Sequence, residues 1–172
     1  MELITWDPEV VSNTINDFIT LQPDTSYISS PTWGHVAESL VQKHFGQPVH
    51  TVQKGSDPGY DMVINGQMID IKNQKNAAQY FDFSSCSWVI DCYKPLRAGW
   101  YLFTSLDKTT HKCAIIGFLS AREVLQRGRH VYAGEQLYLG KGVTANCPCY
   151  VIDRTVMHPY NETDFMRVLK AQ

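Results

Sequence analysis

Several signals that assign a chain to a class at first sight are absent from this sequence of 172 residues. No apolar run reaches the roughly 18 residues that a transmembrane helix needs. Residues 1–7 lack the basic and apolar regions of a signal peptide, and the chain has no internal repeat and no low-complexity segment. Cysteine is scarce and odd in number, at five, which favours reduced thiols in a cytoplasmic protein.

An excess of charge of one sign is also missing. Fifteen basic and 17 acidic residues give a formal net charge of -2 and a pI near 6.3. Proteins that coat nucleic acid nonspecifically are usually basic, so any nucleic-acid contact must come from a local patch. The phosphate loop G-x-x-x-x-G-K-[ST] and the nucleophile elbow of a Ser-His-Asp hydrolase are absent as well.

What remains is the length and composition of one domain, residues 1–172, with a real core. Helix-start signals at Asp7 and Ser30 precede apolar stripes, and the second helix is expected to run to about Phe45. Gly46 then ends that helix. The other expected elements are strands near 49–53, 100–106, 112–119 and 149–153, a helix opened by the capping box of Ser120 and Glu123, and a helix near 164–171.

The most informative stretch is residues 61–72, Asp-Met-Val-Ile-Asn-Gly-Gln-Met-Ile-Asp-Ile-Lys. Its Asn65-Gly66 pair lies between two β-rich runs and predicts a hairpin with a two-residue turn. That register sets Asp61 opposite Asp70 on the same face of the sheet. Lys72 follows Asp70 by two residues and therefore shares the face. The hairpin is thus expected to present two carboxylates and one ammonium group together.

Two like charges facing each other destabilise a sheet, so folding alone would not select this pair. One alternative is a solvated hairpin whose charges are there by chance. The flanking residues are apolar on both faces, however, as in a central strand pair, where an unpaired carboxylate is costly. A divalent cation between the carboxylates removes the repulsion, because hard cations take oxygen ligands. We therefore expect Asp61, Asp70 and Lys72 to form a metal-assisted hydrolysis site.

Further site residues are expected around this hairpin. Glu38 lies at the edge of the apolar stripe of the second helix, where it either points into a cleft between helix and sheet or is a surface residue. Asp57 lies in a turn and is a second-line candidate, since an Asp in such a turn usually bonds locally. Substrate contacts are expected from Gln74, Lys75 and Tyr80, which follow the hairpin, although a place in the core or the cleft wall is the commoner one for an aromatic residue such as Tyr80.

Two other groups leave alternatives open. His111 with Cys113, and Cys147 with Cys149, supply four soft ligands for a zinc site, but their one-residue spacings are not the usual ones. Cys113 also fits as a small apolar strand residue. A basic cluster within residues 122–130 either faces nucleic acid or forms a solvated helix end.

A helical Glu38, then Asp61, then Asp70-Ile71-Lys72 on the next strand resembles the PD-(D/E)XK nuclease superfamily, with its restriction-endonuclease-like fold. The resemblance covers about residues 30–120, in an expected order α-β-β-β-α-β. It implies an α/β domain whose mixed central β-sheet is flanked by helices. The proline usually written before the first Asp is missing, since Tyr60 precedes Asp61, which keeps Asp57 as a competitor for part of that role.

The resemblance implies a Mg²⁺-dependent deoxyribonuclease in which Mn²⁺ can replace Mg²⁺. Asp61, Asp70 and the backbone carbonyl of Ile71 would hold the ion. Glu38 would bind a second ion or orient the attacking water. Lys72 would orient that water or stabilise developing negative charge.

The expected partner is nucleic acid, DNA above all, and not a membrane. A homodimer would let two sites cut both strands. The compact chain resembles stand-alone enzymes of phages or mobile elements, which act in the host cytoplasm. Two rival functions stay open: a nucleic-acid-binding or structural protein of the same fold without turnover, and a nuclease acting on RNA or branched DNA.

Overall fold

The computed structural model describes residues 1–21, 30–49, 59–75, 86–92, 96–107, 110–138 and 142–171. Within these ranges the protein is a mixed α/β structure with four helices, a curled six-stranded mixed sheet and a small antiparallel sheet. The helices are α1 (Pro8–Leu21), α2 (Ser30–His44), α3 (Ala121–Arg127) and α4 (Glu162–Lys170). The strands are β1 (Glu2–Ile4), β2 (Met62–Ile64), β3 (Gln67–Lys75), β4 (Ser87–Asp91), β5 (Trp100–Asp107), β6 (Lys112–Ser120), β7 (Arg129–Val131), β8 (Cys149–Asp153) and β9 (His158–Pro159). No helix in the described ranges is long and apolar enough to cross a membrane.

Local signals in the sequence explain the helix ends. The side chain of Asp7 accepts hydrogen bonds from the amides of Glu9 and Val10 and so caps α1. Two residues after α2, Gly46 adopts a positive φ of 64°, which turns the chain away from the helix axis. At α3 both hydrogen bonds of the Ser120–Glu123 capping box are formed. These helix predictions are confirmed.

The main sheet has the strand order β1-β6-β5-β3-β2, with β9 added beside β6. Strand β3 runs parallel to β5, and the other pairings are antiparallel. The expected mixed sheet is therefore present. The small sheet has the order β4-β8-β7 and is antiparallel throughout.

Two apolar cores divide the molecule into layers. The first lies between one face of the main sheet and α1, α2 and α4, and includes Val36, Leu40, Ile69, Ile71 and Phe165. The second lies between the other face, α3 and the small sheet, and includes Trp88, Tyr101, Phe103, Ile116 and Val124. The odd-numbered residues of β3 therefore face α2, while Asp70 and Lys72 face the second layer.

The expected order α-β-β-β-α-β is tested only in part, because residues 50–58, 76–85 and 93–95 lie outside the described ranges. From residue 30 the described elements run α2-β2-β3-β4-β5-β6-α3, so only strands are described between β3 and β6. Strands β1, β4, β7 and β9 were not predicted. Three of them have only two or three residues, which is too short for a recognisable alternation of apolar and polar residues. The strand expected at 49–53 lies almost entirely outside the described residues.

Candidate active site

The hairpin turn has the predicted geometry. Asn65 and Gly66 both have positive φ, 52° and 79°, as a type I′ turn requires. The register pairs Ile64 with Gln67, and continues for two more pairs to Met62 and Ile69. A two-residue turn thus fixes which side chains of β3 share a face, as expected from the sequence.

Beyond Met62 the pairing differs from the expectation. The amide of Asp61 donates to the carbonyl of Ile69 at 2.8 Å, so Asp61 and Asp70 are not paired in the ladder. Instead, Oδ2 of Asp61 accepts a hydrogen bond of 2.6 Å from the amide of Ile71. The physical reason is that β2 ends at this point and would leave that amide of β3 unsatisfied. Asp61 therefore lies along the open edge of β3.

The two carboxyl groups nevertheless meet, because Asp61 and Asp70 are close enough for a hydrogen bond between their side chains. Burial, together with the nearby charges of Glu38 and Asp70, raises the pKa of Asp61 well above its usual range. Burial also raises the pKa of Asp70, although Lys72 partly opposes the change. Like charges in a place sheltered from water titrate together, so the pair holds a proton more tightly than free carboxyl groups do.

Lys72 supplies the positive charge of the site. Its Nζ lies 2.9 Å from Oδ2 of Asp70. Burial alone would lower the pKa of Lys72, but the carboxylates of Asp70, Asp61 and Glu38 outweigh it and raise the pKa. Lys72 is therefore a permanent ammonium group at neutral pH and acts as a charge and donor, not as a base.

Glu38 approaches the pair from α2, on the opposite side of the sheet. Its charge contributes to the raised pKa of both Asp61 and Asp70, so it belongs to the same electrostatic group. Its Oε2 lies 2.8 Å from Nδ1 of His35, one helical turn earlier. Among the described residues, however, Glu38, Asp61 and Asp70 do not offer three ligand atoms all within 4.8 Å of one another. Glu38 is thus a neighbour of the pair and not a third member of one tight cluster.

Two contacts position the backbone near Asp61. Gln42 of α2 donates to the backbone carbonyl of Asp61 at 2.7 Å. Two residues before Asp61, Gly59 has a φ of 82°, and a Cβ there would lie 2.9 Å from Cδ of Arg97.

The carbonyl of Ile71 lies on the same strand edge as its amide, because both groups of one residue point to the same side of a strand. That carbonyl therefore faces the edge occupied by Asp61.

Of the other predicted site residues, some are described by the structure and some are not. Gln74 lies on β3 in register with Ser105 and shares the face of Asp70. Lys75 ends β3, but its side chain lies outside the described residues, as do Tyr80 and Asp57. The competition between Asp57 and Asp61 is therefore untested, while Asp61 does occupy the edge of β3.

The four proposed zinc ligands do not assemble. Cys113 is buried in the first core among apolar side chains, and His111 stacks on Trp6. Cys149 belongs to a separate small cluster under the small sheet, with Cys147 two residues before it. Two basic residues of the helix end have local partners, since Arg127 pairs with Glu123 and Arg129 donates to the carbonyl of Leu137.

Three neighbours of the site were missed from the sequence. His35 and Gln42 flank Glu38 at helical spacing, and i, i+3 and i, i+4 neighbours of a candidate carboxylate were the available signal. Tyr101 of β5 lies opposite Asp70 in the parallel pairing of β5 with β3. Burial together with the charge of Asp70 raises the pKa of Tyr101. No sequence signal identifies that contact, because it depends on the parallel register of β3 and β5.

Comparison of the chain with protein-family models, curated proteins and solved structures found no match. Any functional conclusion therefore rests on the geometry of this site.

Proposed function

We propose that this protein is a Mg²⁺-dependent nuclease that hydrolyses phosphodiester bonds in DNA. The observation that carries the proposal is the sheltered pair Asp61 and Asp70, in mutual reach and with raised pKa values, beside the ammonium group of Lys72. Holding like charges together costs folding free energy, and the single ammonium group of Lys72 offsets this cost only in part. Perturbed carboxyl groups with a specific charged partner are typical of functional sites.

The donor atoms suit a hard divalent cation. Asp61 and Asp70 offer carboxylate oxygens, and the carbonyl of Ile71 lies on the same strand edge. Mg²⁺ is usually held by one or two carboxylates and completes its shell with water and phosphate oxygens. A third protein carboxylate in the same cluster is therefore not needed. When bound, the ion lowers the pKa of water and offsets negative charge on the phosphoryl group.

The side chains of the protein have separate tasks in this proposal. Asp61 and Asp70 would bind the ion as carboxylates. Lys72, kept protonated by its neighbours, stabilises negative charge that develops on the phosphate. Glu38 is oriented by His35 and either positions the attacking water or holds a second ion. Gln74, on the face of Asp70, is proposed to contact the substrate.

We further propose a restriction-endonuclease-like core for this α/β domain. The proposal is supported by the glutamate on α2, by the hairpin β2–β3 with its two aspartates, and by the mixed sheet in which β3 runs parallel to β5. Between β3 and β6 only strands are described, and residues 76–85 and 93–95 of that stretch lie outside the described ranges, so the expected order is tested only in part.

The test is incubation of purified protein with linear, circular, single-stranded and branched DNA and with RNA, in Mg²⁺, in Mn²⁺ and in EDTA. DNA cleavage that needs the metal and is lost in Asp70→Ala and Lys72→Ala supports the proposal. Cleavage that survives Asp70→Ala, or that ignores EDTA, contradicts the mechanism. Cleavage of RNA alone would overturn the DNA assignment. Binding of nucleic acid without cleavage by the wild type would identify a binding protein instead. Sedimentation of the free protein tests the homodimer.

A further inference from the structure

A second group of metal-ligating side chains lies away from the Asp61–Asp70 pair, where the two ends of the described chain meet. Glu2 of β1, His44 at the end of α2 and Glu162 at the start of α4 each offer one ligand atom, and these atoms all lie within 4.8 Å of one another. It is the one set of three His, Cys, Asp or Glu ligands that meets this distance within the described ranges. Three separate elements thus contribute one ligand each.

Glu2 and His44 have the spacing of metal ligands. Nε2 of His44 and Oε1 of Glu2 are 3.4 Å apart, which is long for a charge-assisted hydrogen bond. Two ligands at about 2.1 Å from a tetrahedral zinc ion are separated by roughly 3.4 Å. The side chains of Glu2 and His44 are both partly sheltered, at 35% and 22% exposure, while Glu162 is exposed and leaves the site open to ions from solvent.

A buried tyrosine provides an independent observation at the same place. Tyr160 is only 4% exposed, and its hydroxyl group has no hydrogen-bond partner among the residues that the structure describes. Tyr160 lies two residues before Glu162, and its backbone carbonyl accepts a hydrogen bond of 3.1 Å from the N-terminal ammonium group of Met1, the residue before Glu2. A buried, unsatisfied donor is costly. Water or a rearranged carboxylate around an ion at this site would give the donor an acceptor.

We propose that Glu2, His44 and Glu162 bind one Zn²⁺ ion, which joins β1, α2 and α4. One imidazole nitrogen and two carboxylate oxygens are a donor set that zinc accepts, with a fourth position left for water. The site uses none of the residues assigned to DNA cleavage, so it stands or fails independently of the proposed function.

The experiment uses the full chain carrying Asp61→Asn and Asp70→Asn, which removes the carboxylates of the nuclease site as competitors. Titration calorimetry with Zn²⁺ is expected to give one ion per chain. Zinc at a hundredfold excess over its Kd is expected to raise the thermal midpoint by roughly 5–10 °C. In the same background, His44→Gln and Glu162→Gln should each weaken binding at least tenfold. His130→Gln changes an exposed histidine outside the cluster and should leave binding unchanged.

Cobalt distinguishes this site from the five thiols of the chain. Bound Co²⁺ is expected to show visible bands of a nitrogen- and oxygen-ligated ion without sulfur-to-cobalt charge transfer. A thiolate spectrum, absence of zinc binding, or zinc binding that is unchanged in both His44→Gln and Glu162→Gln would overturn the proposal. Because Glu162 is exposed, its variant is expected to fold even where His44→Gln does not.

Discussion

Replacing Asp61 by Asn should make the metal-free protein more stable while removing its response to Mg²⁺. The amide has nearly the shape of the carboxyl group, and its oxygen can still accept the hydrogen bond from the amide of Ile71. The replacement removes the charge whose burial, and whose repulsion by Glu38 and Asp70, raises the pKa of Asp61. Removing that repulsion should therefore raise the free energy of unfolding of the metal-free protein.

The pH dependence has a definite sign. A carboxyl group with a raised pKa in the folded state binds more protons than its unfolded counterpart, whose pKa is about 3.9. Stability of the metal-free wild type is then lost as the pH rises from about 4 through the raised pKa values of Asp61 and Asp70. Each unit of raised pKa corresponds to about 1.4 kcal/mol, or about 3–6 °C in thermal midpoint for a domain of this size.

The assay is thermal unfolding of wild type and Asp61→Asn between pH 4 and 8, in EDTA and in Mg²⁺. The variant should gain most over wild type at high pH in EDTA, and its midpoint should not respond to Mg²⁺. A matched control is Asp164→Asn, which alters an exposed ion pair with Arg167 and should change the midpoint by no more than about 2 °C. A variant that is destabilised in EDTA at every pH would refute the reasoning, because the charge of Asp61 would then be stabilising.

Three further substitutions test other parts of the structure. Lys72→Met should lower single-turnover cleavage by about 10²–10³-fold while calorimetry still detects Mg²⁺, and an unchanged rate would contradict its role. Gly59→Ala should cost about 1–2 kcal/mol in urea unfolding because of its positive φ, and more than Gly134→Ala, whose added Cβ would meet open space instead of Arg97; equal losses would contradict the close contact. Ser120→Ala removes the cap of α3 and should cost about 0.5–2 kcal/mol by the same measurement, and no loss would mean that the capping box is not stabilising.

Local signals predicted much of the fold. The cap at Asp7, the glycine after α2 and the capping box at Ser120 act through hydrogen bonds within a few residues, so the sequence reveals them directly. The hairpin turn is of the same kind, because Asn65 and Gly66 tolerate positive φ. The faces of β3 follow from this turn alone.

Pairing between strands that are far apart in the sequence was harder to predict. Strand β4 joins the small sheet through β8, about 60 residues later in the chain, and only the pairing of Val89 with Val151 and its neighbours makes it a strand. In the same way, the sequence predicted that Asp61, Asp70 and Lys72 lie close together. Its prediction that the two aspartates pair directly in the β-ladder was wrong. The early end of β2 depends on tertiary packing, including the bond from Gln42 to the carbonyl of Asp61.

The most direct test of the central claim is the rate of DNA cleavage as a function of Mg²⁺ concentration, measured on wild type and Asp70→Asn. We expect the wild type to be inactive in EDTA and to gain activity as Mg²⁺ saturates the Asp61–Asp70 pair. Asp70→Asn should remain at the EDTA level across the titration. Equal metal-dependent cleavage by both proteins would contradict the claim that this carboxyl pair is the catalytic metal site.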